Sequence, residues 1–232
     1  QNVFEEPMLT SLINNKTFRQ TSTLFGSGLF LTFMSIITTP IVTRTLGPVN
    51  YSVMKLFLTI TNFAILFFDF GFPITASILL ASCVSEDEQR KLIGTSLIIS
   101  LLIGGGYALF LLQFSFYSDS LFGTVIGKYI RLVIPFLIFY PFNQLIQQIG
   151  KGTNRIDSIV FGRSIPYIIR VIAIVLLWAT GTLTLVSLIY TETAVAIIRV
   201  GILIGIFKPS FSDFPNMVKI IGKKNREAGF HI

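Results

Sequence analysis

The sequence predicts an all-α, polytopic membrane protein. Of its 232 residues, 52% are hydrophobic and only 12% are charged, whereas about 25% of the residues in an average soluble domain are charged. The mean hydropathy is +0.76. Six apolar runs reach the length of about 20 residues that a helix needs to cross a bilayer. A single cysteine, Cys83, excludes a disulfide scaffold and a cysteine-rich metal module.

The six predicted transmembrane helices cover more than half of the chain. They cover residues 22–43, 56–82, 92–116, 129–149, 159–180 and 183–207. The loops between them are short, so we expect no separate catalytic domain. We predict a cytoplasmic N-terminal segment (1–21), a six-helix lobe (22–207) and a basic cytoplasmic segment (208–232). The second run contains Asp69, Gly71 and Pro73, which favour a kinked helix.

The lysines and arginines near the span ends predict the orientation of the chain. With a cytoplasmic N-terminus, most of the 18 basic residues lie on the cytoplasmic side. Cytoplasmic loops carry the excess of basic residues in membrane proteins, so we expect both ends of this chain in the cytoplasm. The formal net charge of +7 is then accounted for by charges that flank the spans, and nucleic acid is not an expected partner.

Charged side chains inside the predicted spans are the candidate site residues. A charge at the centre of a spanning helix costs about 2.5–3.5 kcal/mol on insertion scales, so it needs a specific role. Arg163 and Arg170 are seven residues apart, which places them on one face of the fifth span. Glu192 and Arg199 have the same spacing in the sixth span. We expect these side chains to face the interior.

Further polar residues occur in the second and fourth spans. The second span contains Asp69, and the fourth has Lys128 and Arg131 at its start. The fourth span also carries an amide cluster that is too dense for a lipid-facing surface: Asn143, Gln144, Gln147 and Gln148. The predicted interior cations, and therefore the candidate substrate-binding residues, are Lys128, Arg131, Arg163, Arg170 and Arg199. They outnumber Asp69 and Glu192, the candidate ion-coupling residues.

This charge balance favours an anionic ligand. Arginine suits a phosphate because its planar guanidinium donates two parallel hydrogen bonds and stays protonated when it is partly buried. A lipid pyrophosphate is therefore a better candidate than a cationic drug.

Each charged residue also has a purely structural interpretation. The cations at the starts of the fourth and fifth spans can extend to the headgroup region. Arg170 can pair with Asp69 or Glu192 and so fix the packing of the helices. Glu192 and Arg199 are separated by about 10 Å along one helix, so each of them needs a partner elsewhere. The amide cluster can serve hydrogen bonding between helices.

The segment at the end of the first span resembles a family signature. Residues 39–52 read TPIVTRTLGPVNYS, with Arg44, Gly47 and Tyr51 at the motif positions. This pattern resembles that of the polysaccharide biosynthesis and export transporters, the Wzx-type flippases of lipid-linked oligosaccharides, in the multidrug/oligosaccharidyl-lipid/polysaccharide exporter superfamily. Residues 69–72, 85–91 and 226–231 are also similar to family elements. Ser52 departs from the pattern, since the family usually has glycine there.

The resemblance implies a fold, an activity and partners. The chain is expected to be the N-terminal lobe of a two-lobe transporter in the inner (cytoplasmic) membrane and to be followed by a second lobe. The implied activity is the transfer of a polyprenyl-diphosphate-linked oligosaccharide from the inner to the outer leaflet by alternating access, for the biosynthesis of surface polysaccharide such as lipopolysaccharide. The implied partners are membrane lipid, this substrate, a polysaccharide polymerase and glycosyltransferases. No cofactor or metal is expected.

Three other functions stay open. A multidrug or metabolite cation antiporter of the same superfamily would bind its coupling ion at Asp69 and Glu192. A membrane-bound glycosyltransferase or acyltransferase would need a loop carboxylate or a histidine. The only histidine is His231, near the end, and no D-x-D motif occurs, so an enzyme is not expected. A non-transporting assembly subunit is the third alternative.

Overall fold

A computed structural model describes residues 16–68, 71–122 and 127–229. In these ranges the chain forms eight α-helices and no strand. In chain order they are α1 (Lys16–Phe68), α2 (Phe72–Ser82), α3 (Glu86–Phe122), α4 (Gly127–Phe139), α5 (Phe142–Gly152), α6 (Ile156–Ala179), α7 (Leu185–Phe207) and α8 (Phe214–Gly229). The predicted all-α class is confirmed.

Most of the predicted spans correspond to helices of suitable length. Among the described residues, five helical stretches are long and apolar enough to cross a membrane: Phe18–Leu56, Glu86–Leu121, Gly127–Gly152, Ile156–Ala179 and Leu185–Phe207. The predicted second span, 56–82, is instead divided between the end of α1 and the 11-residue helix α2. The count of six is therefore approximate, and the chain is a polytopic membrane protein.

The divided span still runs the length of the bundle. Met54 and Leu58 of α1 pack against one hydrophobic cluster, and Phe72 and Leu80 belong to a second one. Gly71 separates the two helices with a left-handed backbone (φ 70°). Asp69 lies outside the described residues.

The two hydrophobic clusters lie at opposite ends of the bundle. The first joins α1, α3, α4, α6 and α7, and its most buried members are Tyr107, Leu111, Leu137, Ile174 and Leu188. The second joins α2, α3, α5, α7 and α8 through Leu80, Leu145, Ile146, Ile149 and Leu203. We call the end that contains the second cluster the basic end, because the cations of the predicted cytoplasmic side lie there. The lysines of α8 are among these cations.

The outer surface of the bundle is apolar, as expected for contact with lipid. Phe25, Leu29 and Phe33 of α1 are exposed, and so are Leu102 and Leu109 of α3 and Trp178 at the end of α6. Such extensive apolar exposure is rare on soluble monomers.

A kink in α1 replaces the loop that we predicted between the first two spans. Gly47 has φ 69° and ψ 172°, a region of the Ramachandran plot that is essentially restricted to glycine. Pro48 follows and begins the next helical segment, where the absence of its amide hydrogen costs nothing. The predicted loop is therefore wrong, since the helix resumes directly after one non-helical residue.

Replacement of Gly47 should therefore destabilise the protein. We expect Gly47→Ala to lower the free energy of unfolding by about 1–3 kcal/mol, because a side chain strains this backbone conformation. Thermal unfolding of the detergent-purified protein measures the effect. Gly201→Ala is the matched control, since Gly201 lies in α7 with open space around it. Equal melting temperatures for the two variants would contradict the assigned strain.

Candidate functional site

A cavity of about 710 Å³ opens between the N-terminal half of α1 and the helices α5, α6 and α7. The α1 side of its wall is largely apolar and includes Leu24, Phe25, Leu29 and Leu31. Polar side chains line the rest: Thr32, Ser35, Asn143, Gln147, Arg163, Tyr167 and Arg199. The cavity thus joins an apolar wall to a polar, cationic one.

The two cavity arginines lie at the same depth. Arg163 comes seven residues after the start of α6 and Arg199 eight residues before the end of α7. Since α6 begins and α7 ends at the basic end, a rise of 1.5 Å per residue places both Cα atoms about 10–12 Å from that end. Two guanidinium groups from neighbouring helices therefore face one level of the cavity.

The cavity is electropositive. Its described lining includes Arg163 and Arg199 and no carboxylate. Nε of Arg199 is buried and has no hydrogen-bond partner among the described residues. Burial of an unpaired charged donor is costly, and an acceptor atom of a bound ligand would remove this cost. The arrangement is suited to binding an anion.

Arg170 lies deeper and is already paired. Its Nε donates to Oε1 of Glu192 at 2.5 Å, and each of the two side chains is only about a quarter exposed. Of the two structural partners that the sequence offered for Arg170, the structure pairs it with Glu192. Both residues also line a small, mostly apolar cavity together with Leu58 and Phe136. The charge of Arg170 is thereby neutralised within the protein.

Tyr167 connects the cavity with this ion pair. Its ring lines the cavity, and Cζ of Arg170 lies 5.5 Å from the ring centroid, within cation–π distance. On the other side, Arg199 is within electrostatic range of Glu192, Arg170 and Arg163. The cavity arginines and the ion pair therefore form one electrostatic group.

A second tyrosine joins α1 to the turn between α4 and α5. The hydroxyl of Tyr140 donates to Oδ1 of Asn62 at 2.5 Å. Arg199 is within electrostatic range of this tyrosine as well. The contact ties the second half of α1 to the bundle beside the cavity.

The remaining predicted cations lie elsewhere. Lys128 is exposed at the start of α4, and the exposed Arg131 stacks over Phe116, with its Cζ 5.6 Å from the ring centroid. Both are at the end opposite the basic end and do not line the cavity. Of the predicted amide cluster, Asn143 and Gln147 line the cavity, while Gln144 is exposed.

The residues of the family motif surround the kink in α1. Arg44 is exposed before Gly47. Tyr51 is half-buried after it, and Nζ of Lys55 lies 5.3 Å from its ring centroid. None of these residues lines the cavity, so in this structure the motif shapes the helix.

Sequence reasoning missed Tyr167 and the polar residues of α1. Tyr167 is four residues after Arg163 and three before Arg170, a spacing that places all three on one helical face. Gly28, Thr32 and Ser35 follow an i, i+4, i+7 pattern, which marks a small and polar stripe within an apolar helix. Both the spacing around Tyr167 and the polar stripe of α1 could therefore have been found from the sequence.

The fold and the cavity define a helical membrane protein with a cationic interior site. A family model described as polysaccharide biosynthesis protein matches residues 18–225. The chain therefore belongs to this family, and it is a multi-pass membrane protein with a role in polysaccharide biosynthesis. The resemblance inferred from the motif around Gly47 is confirmed. Comparison with curated proteins and with solved structures gives no significant match.

The ion pair between α6 and α7 should stabilise the protein in a non-additive way. Arg170→Gln or Glu192→Gln alone leaves one unpaired charge inside the bundle, which we expect to cost about 3 kcal/mol. The double variant leaves no charge and should be more stable than either single variant. Unfolding free energies in detergent complete the double-mutant cycle. Strictly additive effects of the two substitutions would show that the pair does not contribute as described.

Proposed function

We propose that the protein is a flippase that moves a polyprenyl-diphosphate-linked oligosaccharide from the cytoplasmic to the outer leaflet of the inner membrane. The observation that carries this proposal is the cavity between α1 and α5–α7. Arg163 and Arg199 face it at one depth without a described carboxylate, and Nε of Arg199 has no hydrogen-bond partner in the described part of the chain. Family membership supports the polysaccharide context.

The chemistry of the cavity matches the parts of such a substrate. Two guanidinium groups can each donate paired hydrogen bonds to a diphosphate. Asn143, Gln147 and Tyr167 add neutral donors and acceptors for sugar hydroxyls. Phe25 and Leu29 line the cavity and are also exposed on the outer surface of α1. We assign them to the polyprenyl chain, which stays in the lipid while the headgroup occupies the cavity.

Transport by this protein would follow alternating access. Rocking of two lobes around a site between them moves a substrate without opening a continuous pore. We assign the described bundle to one lobe, with its cavity facing the second. Glu192 is our candidate for ion coupling, because opening of its pair with Arg170 would free the carboxylate to bind a proton. Asp69 remains the second candidate for this role.

The same pairing argues against a cation antiporter. A cationic drug would need a free carboxylate in the cavity, and Glu192 is already occupied by Arg170. An enzyme would need catalytic groups beside the bound substrate, and the titratable groups described in the cavity lining are two arginines and a tyrosine. We therefore propose transport rather than catalysis.

Loss of a cavity arginine should reduce transport. Each of Arg199→Gln and Arg163→Gln removes a charge-assisted hydrogen bond of about 1.5–3 kcal/mol, so we expect a transport rate lowered by roughly tenfold or more. The rate is measured in proteoliposomes that hold the full-length protein, as the fraction of lipid-linked oligosaccharide that becomes accessible to an impermeant glycosidase. Arg131→Gln, the same change outside the cavity, should keep the rate of the unmodified protein. Normal transport by both cavity variants would reject the site.

The single cysteine provides a test of the proposed orientation. Cys83 lies between α2 and α3, at the basic end, and is partly exposed. An impermeant maleimide should label it in inverted membrane vesicles and not in intact cells.

Burial, together with the nearby charge of Glu88, raises the pKa of the Cys83 thiol. Labelling should therefore become faster as the pH rises, because the thiolate is the reacting form.

A cysteine at the opposite end completes this experiment. Lys128→Cys in a Cys83→Ser background should be labelled in intact cells. The reverse pattern for the two positions would place the basic end outside the cell.

A further inference from the structure

We propose a second anion site: a pocket at the basic end that binds a phosphate group, presented by the headgroup of an anionic lipid. The pocket has a volume of about 190 Å³ and lies where the start of α3, the α5–α6 turn and the end of α7 meet. Arg90, Arg155 and Lys208 line it, one from each of these elements. It shares no lining residue with the cavity between α1 and α5–α7.

The position of the pocket along the helices indicates a headgroup rather than a lipid tail. Arg90 lies two residues before Leu92, where the apolar part of α3 begins, Arg155 directly precedes α6, and Lys208 follows the last residue of α7. All three cations thus lie just outside the apolar stretches. Phospholipid phosphates occupy this level of a bilayer, and basic pockets between membrane helices bind lipid headgroups.

The backbone that carries these cations is fixed. The amide of Ser210 donates to the carbonyl of Arg90 at 2.9 Å. A side chain at Gly94 would meet the carbonyl oxygen of Ser210 at 2.1 Å, so only glycine allows the segment after α7 to approach α3 this closely. The amides of Lys208 and Arg155 each donate to a carbonyl of the preceding helix at 2.9 Å. The backbone around the pocket is therefore held in place without a ligand.

The electrostatics of the pocket favour an anion. Glu86 contributes one carboxylate. Its Oε2 lies 3.6 Å from Nη2 of Arg90, and both side chains are about half exposed or more. Such exposed pairs contribute little, so a phosphate can replace Glu86 as the partner of Arg90. Arg155 is the N-cap residue of α6, and its side chain does not cap the amides of the first turn. Asp157 is the acidic residue in this turn. The partial positive charge of the helix start adds to the three cations.

Two sets of variants with opposite expected effects test the site. The full-length protein in detergent micelles is titrated with phosphatidylglycerol, and binding is followed by native mass spectrometry. The triple variant Arg90→Gln/Arg155→Gln/Lys208→Gln should bind phosphatidylglycerol roughly tenfold more weakly or worse. Glu86→Gln should bind it more tightly, because this change removes the carboxylate that competes for Arg90.

Each set has a control of equal charge at the same end. Lys151→Gln/Lys219→Gln/Lys223→Gln removes three cations that do not line the pocket, and Glu88→Gln removes a neighbouring carboxylate outside it. Both controls should keep the affinity of the unmodified protein. The proposal would be overturned if the two triple variants lost the same affinity for phosphatidylglycerol and if Glu86→Gln and Glu88→Gln changed it equally. Overall charge alone would then explain the binding.

A parallel titration with inorganic phosphate distinguishes the source of the phosphate group. Inorganic phosphate should compete with phosphatidylglycerol for the unmodified protein. The pocket triple variant should lose this competition and also bind the lipid more weakly. This combined result supports a site that recognises the phosphate group itself. Binding of inorganic phosphate without any variant-sensitive lipid binding would overturn the assignment to a lipid headgroup. Since the pocket is separate from the transport cavity, the Arg163→Gln variant should leave phosphatidylglycerol binding unchanged.

Discussion

The pairing of Arg170 with Glu192 determines how charge is distributed inside this membrane protein. A guanidinium within an apolar bundle needs compensation, and this pair supplies it between α6 and α7 at a depth where the surroundings are mostly apolar. Glu192 is engaged there and makes no ion pair with Arg199, which lies about 10 Å further toward the basic end on the same helix. The positive character of the cavity therefore depends on where the single carboxylate of α7 is held.

Much of the fold follows from the sequence for a simple physical reason. A membrane helix must satisfy its backbone internally and be apolar along its length, so hydropathy identified α6 and α7 within a few residues and the apolar middle of α3, which extends further at both ends. The sequence indicated a kink in the second span but not its division into two helices, and it did not indicate the kink at Gly47. Both depend on a glycine with positive φ. From the sequence alone, a glycine in an apolar run can equally be interpreted as a small residue that lets two helices pack closely.

The candidate site was only partly predictable. Helical spacing placed Arg163 and Arg170 on one face, but spacing along one helix carries no information about depth or about the partner on the next helix. The structure separates the two, with Arg163 in the cavity and Arg170 in the ion pair. Arg131 was assigned to the interior because it stands at the start of the fourth span, whose amide cluster indicated an interior face, whereas its exposed side chain lies over Phe116. Interhelical contacts decide such cases, and one sequence does not show them.

The position of Tyr167 has a thermodynamic consequence. Its ring is part of the cavity wall and also lies beside the guanidinium of Arg170. A ligand that displaces this ring would remove the cation–π contact of Arg170 and so change the free energy of the Arg170–Glu192 pair. Linkage makes the effect reciprocal: a change in this pair that displaces the ring must alter the affinity of the cavity by the same factor. Tyr167 is thus the side chain through which the cavity and the ion pair can influence each other.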